Sequence, residues 1–199
     1  MLRYLSIVAA MVLLCLLGAC SDPKEYRLTP EQLAWQGYQA GEVIHFGRAR
    51  DGQVRTYKVT DIKDELRTQH VGITLGKPPK FQEISVSVQR IDTIAPVHQV
   101  LKFSLYNAEL RATAAWDELY PFWLPIDSVS RNAPIDTTQY SNTKLLRNIV
   151  LGPTMYPEVL HVTRKSAANP TRQNQLYYAK GQGVVAYEED DTGLWYRLP

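Results

Sequence analysis

The chain has 199 residues, with 22 Lys and Arg against 20 Asp and Glu and only two cysteines. That near balance offers no basic field for nucleic acid and no strong attraction to acidic lipid. The length suits one domain with its own hydrophobic core.

Arg3 is the only charge in residues 1–19, and from Leu5 to Ala19 nearly every side chain is apolar or small. A positive start, an apolar run and small residues before a cut mark an export signal. The apolar run, about 15 residues, is shorter than the roughly 20 that a spanning helix needs at 1.5 Å per residue. It closes on Leu17-Gly18-Ala19-Cys20, which resembles the lipobox of bacterial lipoproteins. The resemblance implies cleavage between Ala19 and Cys20, a diacylglyceryl group on the Cys20 thiol, and often an acyl chain on the new amine. An ordinary secretory signal with Cys20 incidental, and a short signal anchor, are the competing readings. Two or more acyl chains make a stable anchor where one is marginal. Ser21 rather than Asp follows the cysteine, which in such Gram-negative lipoproteins favours the outer membrane. Residues 21–25 also resemble the short acidic tags that send some lipoproteins to the cell surface.

Cleavage would leave 180 residues (199 minus 19) with 21 Lys and Arg (22 minus Arg3). Cys15 leaves with the leader and Cys20 carries lipid, so no thiol remains. The domain must then stand without a disulfide, and cysteine catalysis and thiolate metal sites are excluded.

Ser21 to Leu28 reads as a polar tether. Thr29-Pro30-Glu31-Gln32 predicts a helix start: Thr29 caps, Pro30 suits the first helical position and Gln32 completes a capping box. Gly37 ends that helix within two turns, with Leu33 and Trp35 docking it. Strand-like alternation follows. Val43 to Arg48, Val54 to Thr60, Leu66 to Leu75, Phe81 to Ile91 and Val97 to Leu105 are predicted strands, and Asp51-Gly52 is a hairpin turn. Residues 108–140 are irregular, with a short helix predicted over Ala112 to Leu119. The two prolines of Tyr120 to Pro125 bar a regular helix or central strand. Strands resume at Leu145 to Leu151 and Met155 to Arg164, joined by Gly152-Pro153. A polar loop spans Ser166 to Arg172. Gln175 to Lys180, Val184 to Glu188 and Leu194 to Leu198 close the chain.

Nine or ten strands joined by short turns predict a mainly β fold, an antiparallel meander. So many strands curl or split, giving a strongly curved sheet, a half-barrel or a sandwich with one or two short helices. The expected organisation is a signal peptide over 1–19, a lipidated tether over 20–28 and one β-rich domain over 29–199.

Two stretches carry a further resemblance. Tyr38-Gln39-Ala40-Gly41-Glu42-Val43-Ile44-His45-Phe46, with Gly52 and Tyr57-Lys58-Val59-Thr60, is similar to the opening hairpin of uncharacterised bacterial envelope lipoproteins. Met155 to Val162 and Tyr177-Tyr178-Ala179-Lys180-Gly181-Gln182-Gly183-Val184-Val185 resemble their closing strands, with Gln182 where an apolar residue is usual. The resemblance implies a fold and a compartment and carries no catalytic, cofactor-binding or metal residues.

Chemistry is sparse. His45, His70, His98 and His161 have no partner at i+2 or i+4, so no local metal motif exists. No Gly-x-Ser-x-Gly occurs. A phosphate loop at Gly181 and Gly183 would need a helix where Val184-Val185 starts a strand. Glu188-Glu189-Asp190-Asp191 lacks calcium-loop spacing and reads as a solvated turn. The aromatics Tyr120, Phe122, Trp123, Tyr177, Tyr178, Tyr187, Trp195 and Tyr196 read first as core and cross-strand packing. The competing reading is an apolar groove on a curved sheet, lidded by the Pro-rich loop. The expectation is a non-enzymatic binding or scaffold domain, without cofactor, held to a membrane through Cys20. Its partner is an apolar ligand or an envelope protein, not nucleic acid. The alternatives are a lipid or lipoprotein carrier, marked by a deep apolar cavity with a protruding apolar loop, and a glycan hydrolase, marked by two convergent carboxylates.

Overall fold

The computed structural model describes residues 22–68, 77–93, 97–106, 109–115, 122–136, 142–165, 173–189 and 192–199. The fold is mainly β: an antiparallel meander of eleven strands nearly closed into a barrel, with two short helices. The strands are β2 (Val43–Arg48), β3 (Val54–Thr68), β4 (Lys80–Arg90), β5 (Val97–Tyr106), β6 (Glu109–Ala115), β7 (Phe122–Leu124), β8 (Thr143–Leu151), β9 (Thr154–Lys165), β10 (Gln173–Ala179), β11 (Gly183–Glu189) and β12 (Gly193–Arg197). A twelfth short strand, β1 (Glu25–Tyr26), lies parallel to the start of β4. Their order is 7-6-5-4-3-2-12-11-10-9-8, so two consecutive meanders are joined where β2 pairs with β12. β7 and β8 are left as the two edges.

Several predicted elements change length or type. Val54 to Thr60 and the start of the Leu66 segment form one 15-residue strand, β3, with an irregularity between Val59 and Asp61 that bends it without breaking it. The predicted helix at Ala112 is corrected to strand β6 as far as Ala115; residues 116–119 of that prediction lie outside the described residues. Alanine favours helices, but Leu110, Ala112 and Ala114 alternate inward and are buried, and burial outweighs propensity. Phe122–Leu124 is an edge strand of three residues, the place the flanking prolines allow. The segment read as a tether is docked from Lys24 onward: Lys80 N–H donates to the Lys24 carbonyl at 2.9 Å, and Leu28 is buried.

The interior is filled by side chains. Phe46, Tyr57, Phe103, Phe122, Tyr178, Tyr187 and Trp195 are all but fully buried. Phe46 meets Tyr57 edge-on at 5.5 Å, and Tyr187 stacks on Trp195 at 6.2 Å. The predicted helix start plugs one end. α1 (Pro30–Leu33) carries the full capping box, with Thr29 N–H donating to Gln32 Oε1 at 2.8 Å and Gln32 N–H to Thr29 Oγ1 at 3.2 Å. Trp35 is buried just after it, whereas Leu33, expected to dock, is exposed. Tyr178 Oη donates to the Trp35 carbonyl at 2.8 Å. Val184 N–H donates to Tyr38 Oη at 2.6 Å, where a bulge between β10 and β11 disturbs the ladder. Burial pushes the Tyr38 hydroxyl well above its ordinary pKa, so it stays neutral in that bond.

A second, smaller core lies on the outer face. The β8–β9 hairpin packs Leu151, Tyr156 and Val159 with Val185 and Ala186. Its bend falls where Asn148, at φ 52°, stands opposite Pro157, between the pairs Arg147–Glu158 and Ile149–Tyr156. Pro157 has no N–H for the ladder, and Asn tolerates the left-handed conformation. Gly152 turns the hairpin at φ 60° against the Tyr196 ring, where a Cβ would come within 2.2 Å.

Candidate functional site

The two edge strands do not pair with each other, and the chain crosses between them through α2 (Ile126–Ser130). α1 and α2 are tied by Gln32 Nε2 donating to Asp127 Oδ1 at 2.9 Å. Arg131 bonds the same carboxylate.

Beside these helices opens a cleft of about 590 Å³. Val129, Ala133, Ile135 and Leu145 supply apolar patches in a lining that is more polar than apolar, and Trp35 forms part of its wall. Glu31, Arg147, Glu158 and Lys180 supply two charges of each sign. Arg147 Nε stands 3.9 Å from Glu158 Oε1 with both groups open to water, a weak pair that a ligand can displace. Among the described residues, two buried side-chain polar atoms have no hydrogen-bond partner: Trp35 Nε1 and Ser130 Oγ. Both residues line this cleft. An unpartnered buried donor costs about 1–3 kcal/mol, so the wall is under-satisfied where the other described side chains are not.

A second groove, about 340 Å³, lies between Val43, His45, Thr154, Tyr156 and the C-terminal Leu198 and Pro199. Arg197, in its wall, is held by Glu42 Oε1 at 2.5 Å and by the Gln182 carbonyl at 2.5 Å.

The residues singled out from sequence are placed as follows. Cys20, the lipidation residue, lies outside the described residues, as do His70, Tyr120, Asp190 and Asp191. His45 Nδ1 is 3.1 Å from Thr56 Oγ1. His161 stacks on Tyr177 at 4.5 Å and its Nε2 is 2.6 Å from Gln175 Oε1. His98 lies on β5. Of the aromatics, Phe122, Tyr178, Tyr187 and Trp195 are core, Tyr177 and Tyr196 pack on the outer cluster, and Trp123 is about half exposed. The described aromatics form no open groove. The solvated-turn reading of the acidic run is corrected for its first half. Glu188 accepts from Gln175 Nε2, and Glu189 pairs with Arg55 at 2.8 Å and accepts from Thr192 Oγ1. Arg55 also lies 3.9 Å over the Trp195 ring. Burial alone would lower the Arg55 pKa, but its bonds to Glu189 and Tyr187 lift it above the ordinary value.

Sequence reasoning missed Arg147, Glu158, Lys180 and Ser130. They come from three strands or turns and one helix far apart in the chain, and no spacing announces them. Trp35 was flagged only for docking. Among the described residues, no three His, Cys, Asp or Glu side chains converge in a metal-binding group. Comparison with protein-family models, with characterised proteins and with solved structures returns no match.

Proposed function

We propose that this chain is a non-enzymatic binding domain of the bacterial envelope, held at the outer membrane by lipid on Cys20, and that the cleft beside α2 receives its ligand. The observation that carries the reading is the coincidence of apolar patches in a mixed lining, displaceable charges of both signs and two sealed, unpartnered polar atoms. A ligand that parts α2 from Trp35 supplies an acceptor to Nε1 and a partner to Ser130 Oγ. It also exchanges the weak Arg147–Glu158 contact for its own ends. The fitting chemistry is a small molecule or chain segment with an apolar body and a charged or zwitterionic end. Pockets at barrel mouths commonly work in this way, with a few placed polar groups setting orientation.

The test is calorimetric titration of the protein with a zwitterionic apolar tripeptide, octanoate and a neutral disaccharide. The expected outcome is saturable binding of the tripeptide, weakened about tenfold by Arg147→Ala, which is 1.4 kcal/mol. Absence of saturable binding for all three probes, or binding that ignores Arg147→Ala, would count against the cleft.

A carrier for lipid or lipoprotein is the second reading. It draws support from the exposed apolar tip of the β8–β9 hairpin, where Val150 and Met155 stand 63% and 65% exposed. Against it, the described interior is packed with aromatic rings rather than open to an acyl chain.

A further inference from the structure

We propose that the tip of the β8–β9 hairpin, through Val150 and Met155, sits in the lipid surface that holds Cys20, so that the domain meets its membrane at two points. This rests on the lipidation of Cys20 proposed above.

The chain is tied to the sheet from Lys24, whose carbonyl accepts from Lys80 N–H. Four residues from Cys20 to Lys24 span at most about 14 Å at 3.3–3.6 Å each. The end of the barrel where the chain enters is therefore kept close to the bilayer.

β1 lies at the start of β4 and enters beside it. Following the antiparallel pairs across the sheet, the same end carries the start of β2, the β10–β11 turn, the C-terminus and the β8–β9 turn. The groove that brings Thr154 beside Val43, Gln182 and Leu198 agrees with this arrangement.

Val150 and Met155 are directly opposed across the hairpin, next to the turn. They are the most exposed large apolar side chains among the described residues. Leu151 and Tyr156, their neighbours in the strands, turn the other way into the outer core. The hairpin is thus held by one face and offers the other. Val43, 47% exposed, stands at the same end. A lipid surface accepts such a small apolar point because the acyl anchor already holds the protein there.

The experiment uses the full-length, processed protein in vesicles of phosphatidylethanolamine and phosphatidylglycerol. With Cys15 removed and Cys20 acylated, Met155→Cys is the only free thiol and takes an environment-sensitive fluorophore. Val100→Cys, on an exposed position of β5 towards the other end, is the reference. The expected result is a blue-shifted Met155 label, quenched several-fold more than the Val100 label by nitroxide-bearing lipid. Val150→Cys should repeat it. Equal quenching at both positions in protein that floats with the vesicles overturns this inference and leaves the anchor standing. Unmutated protein that fails to float overturns the anchor and this inference together. A blue shift that needs no lipid and grows with protein concentration assigns the tip to a second copy and also overturns it.

Discussion

Where β2 meets β12, strands from opposite ends of the chain share a backbone ladder; where β7 faces β8, no ladder joins them. The first junction is reinforced at both ends. Inside, Arg55 bridges Glu189 and Tyr187 and covers Trp195, while Tyr57 and Tyr187 share a hydrogen bond at 2.9 Å. At the chain-entry end, Arg197 reaches Glu42. The second junction is spanned by two helices of one turn each, tied by Gln32 and Asp127, and leaves Trp35 Nε1 and Ser130 Oγ without partners. Under the proposed function, the contrast separates what stabilises the domain from what would bind its ligand. The seam that unites the termini is saturated, and the seam crossed by the middle of the chain keeps a cleft and unmet bonding capacity.

Four substitutions, two of them combined in a double variant, break or sharpen this contrast. Gly183→Ala should cost the most, at least about 3 kcal/mol, through overpacking and a left-handed backbone. Gly183 sits at φ 77°, and a Cβ there would come within 2.2 Å of the Tyr38 ring that plugs the barrel. Urea unfolding of the variant checks this. Arg55→Met should cost about 2 kcal/mol, since it leaves the mostly buried Glu189 without its cation. The double variant Arg55→Met, Glu189→Leu should recover most of that loss in the same assay, because breaking a pair hurts more than replacing it. Ser130→Ala, at the open seam, should raise stability slightly, by about 1 kcal/mol, since it removes a buried hydroxyl that has no bond to lose. A loss near 2 kcal/mol would show that Ser130 is engaged and the two seams are alike.

What the sequence made legible was local. The capping box at Thr29 is a contact between residues three apart, and it forms as read. Strand alternation in β4 and β5 follows from a period of two and places Val86, Val88, Leu101 and Phe103 inside. The hairpin turn at Gly152-Pro153 likewise needs only neighbours. Ala112 was misread because its helix propensity is intrinsic, whereas its burial depends on partners in β5 and β7. The cleft was not legible for the same reason. Trp35, Ser130, Arg147 and Lys180 meet only because α2 crosses between two sheet edges, and the closure of β2 onto β12 decides where those edges stand. The acidic run misled in its first half, since Arg55, the cation that Glu189 meets, lies 134 residues away.

The contrast between the seams is tested most directly by native-state amide hydrogen exchange, compared residue by residue at the two junctions. The β2–β12 amides, such as Leu198 N–H donating to the His45 carbonyl, should exchange only near the global unfolding free energy. Those of α2, such as Arg131 N–H donating to the Asp127 carbonyl, should open at least about 100-fold more often, as sites meant to admit a ligand do. Equal protection at the two junctions would contradict the account.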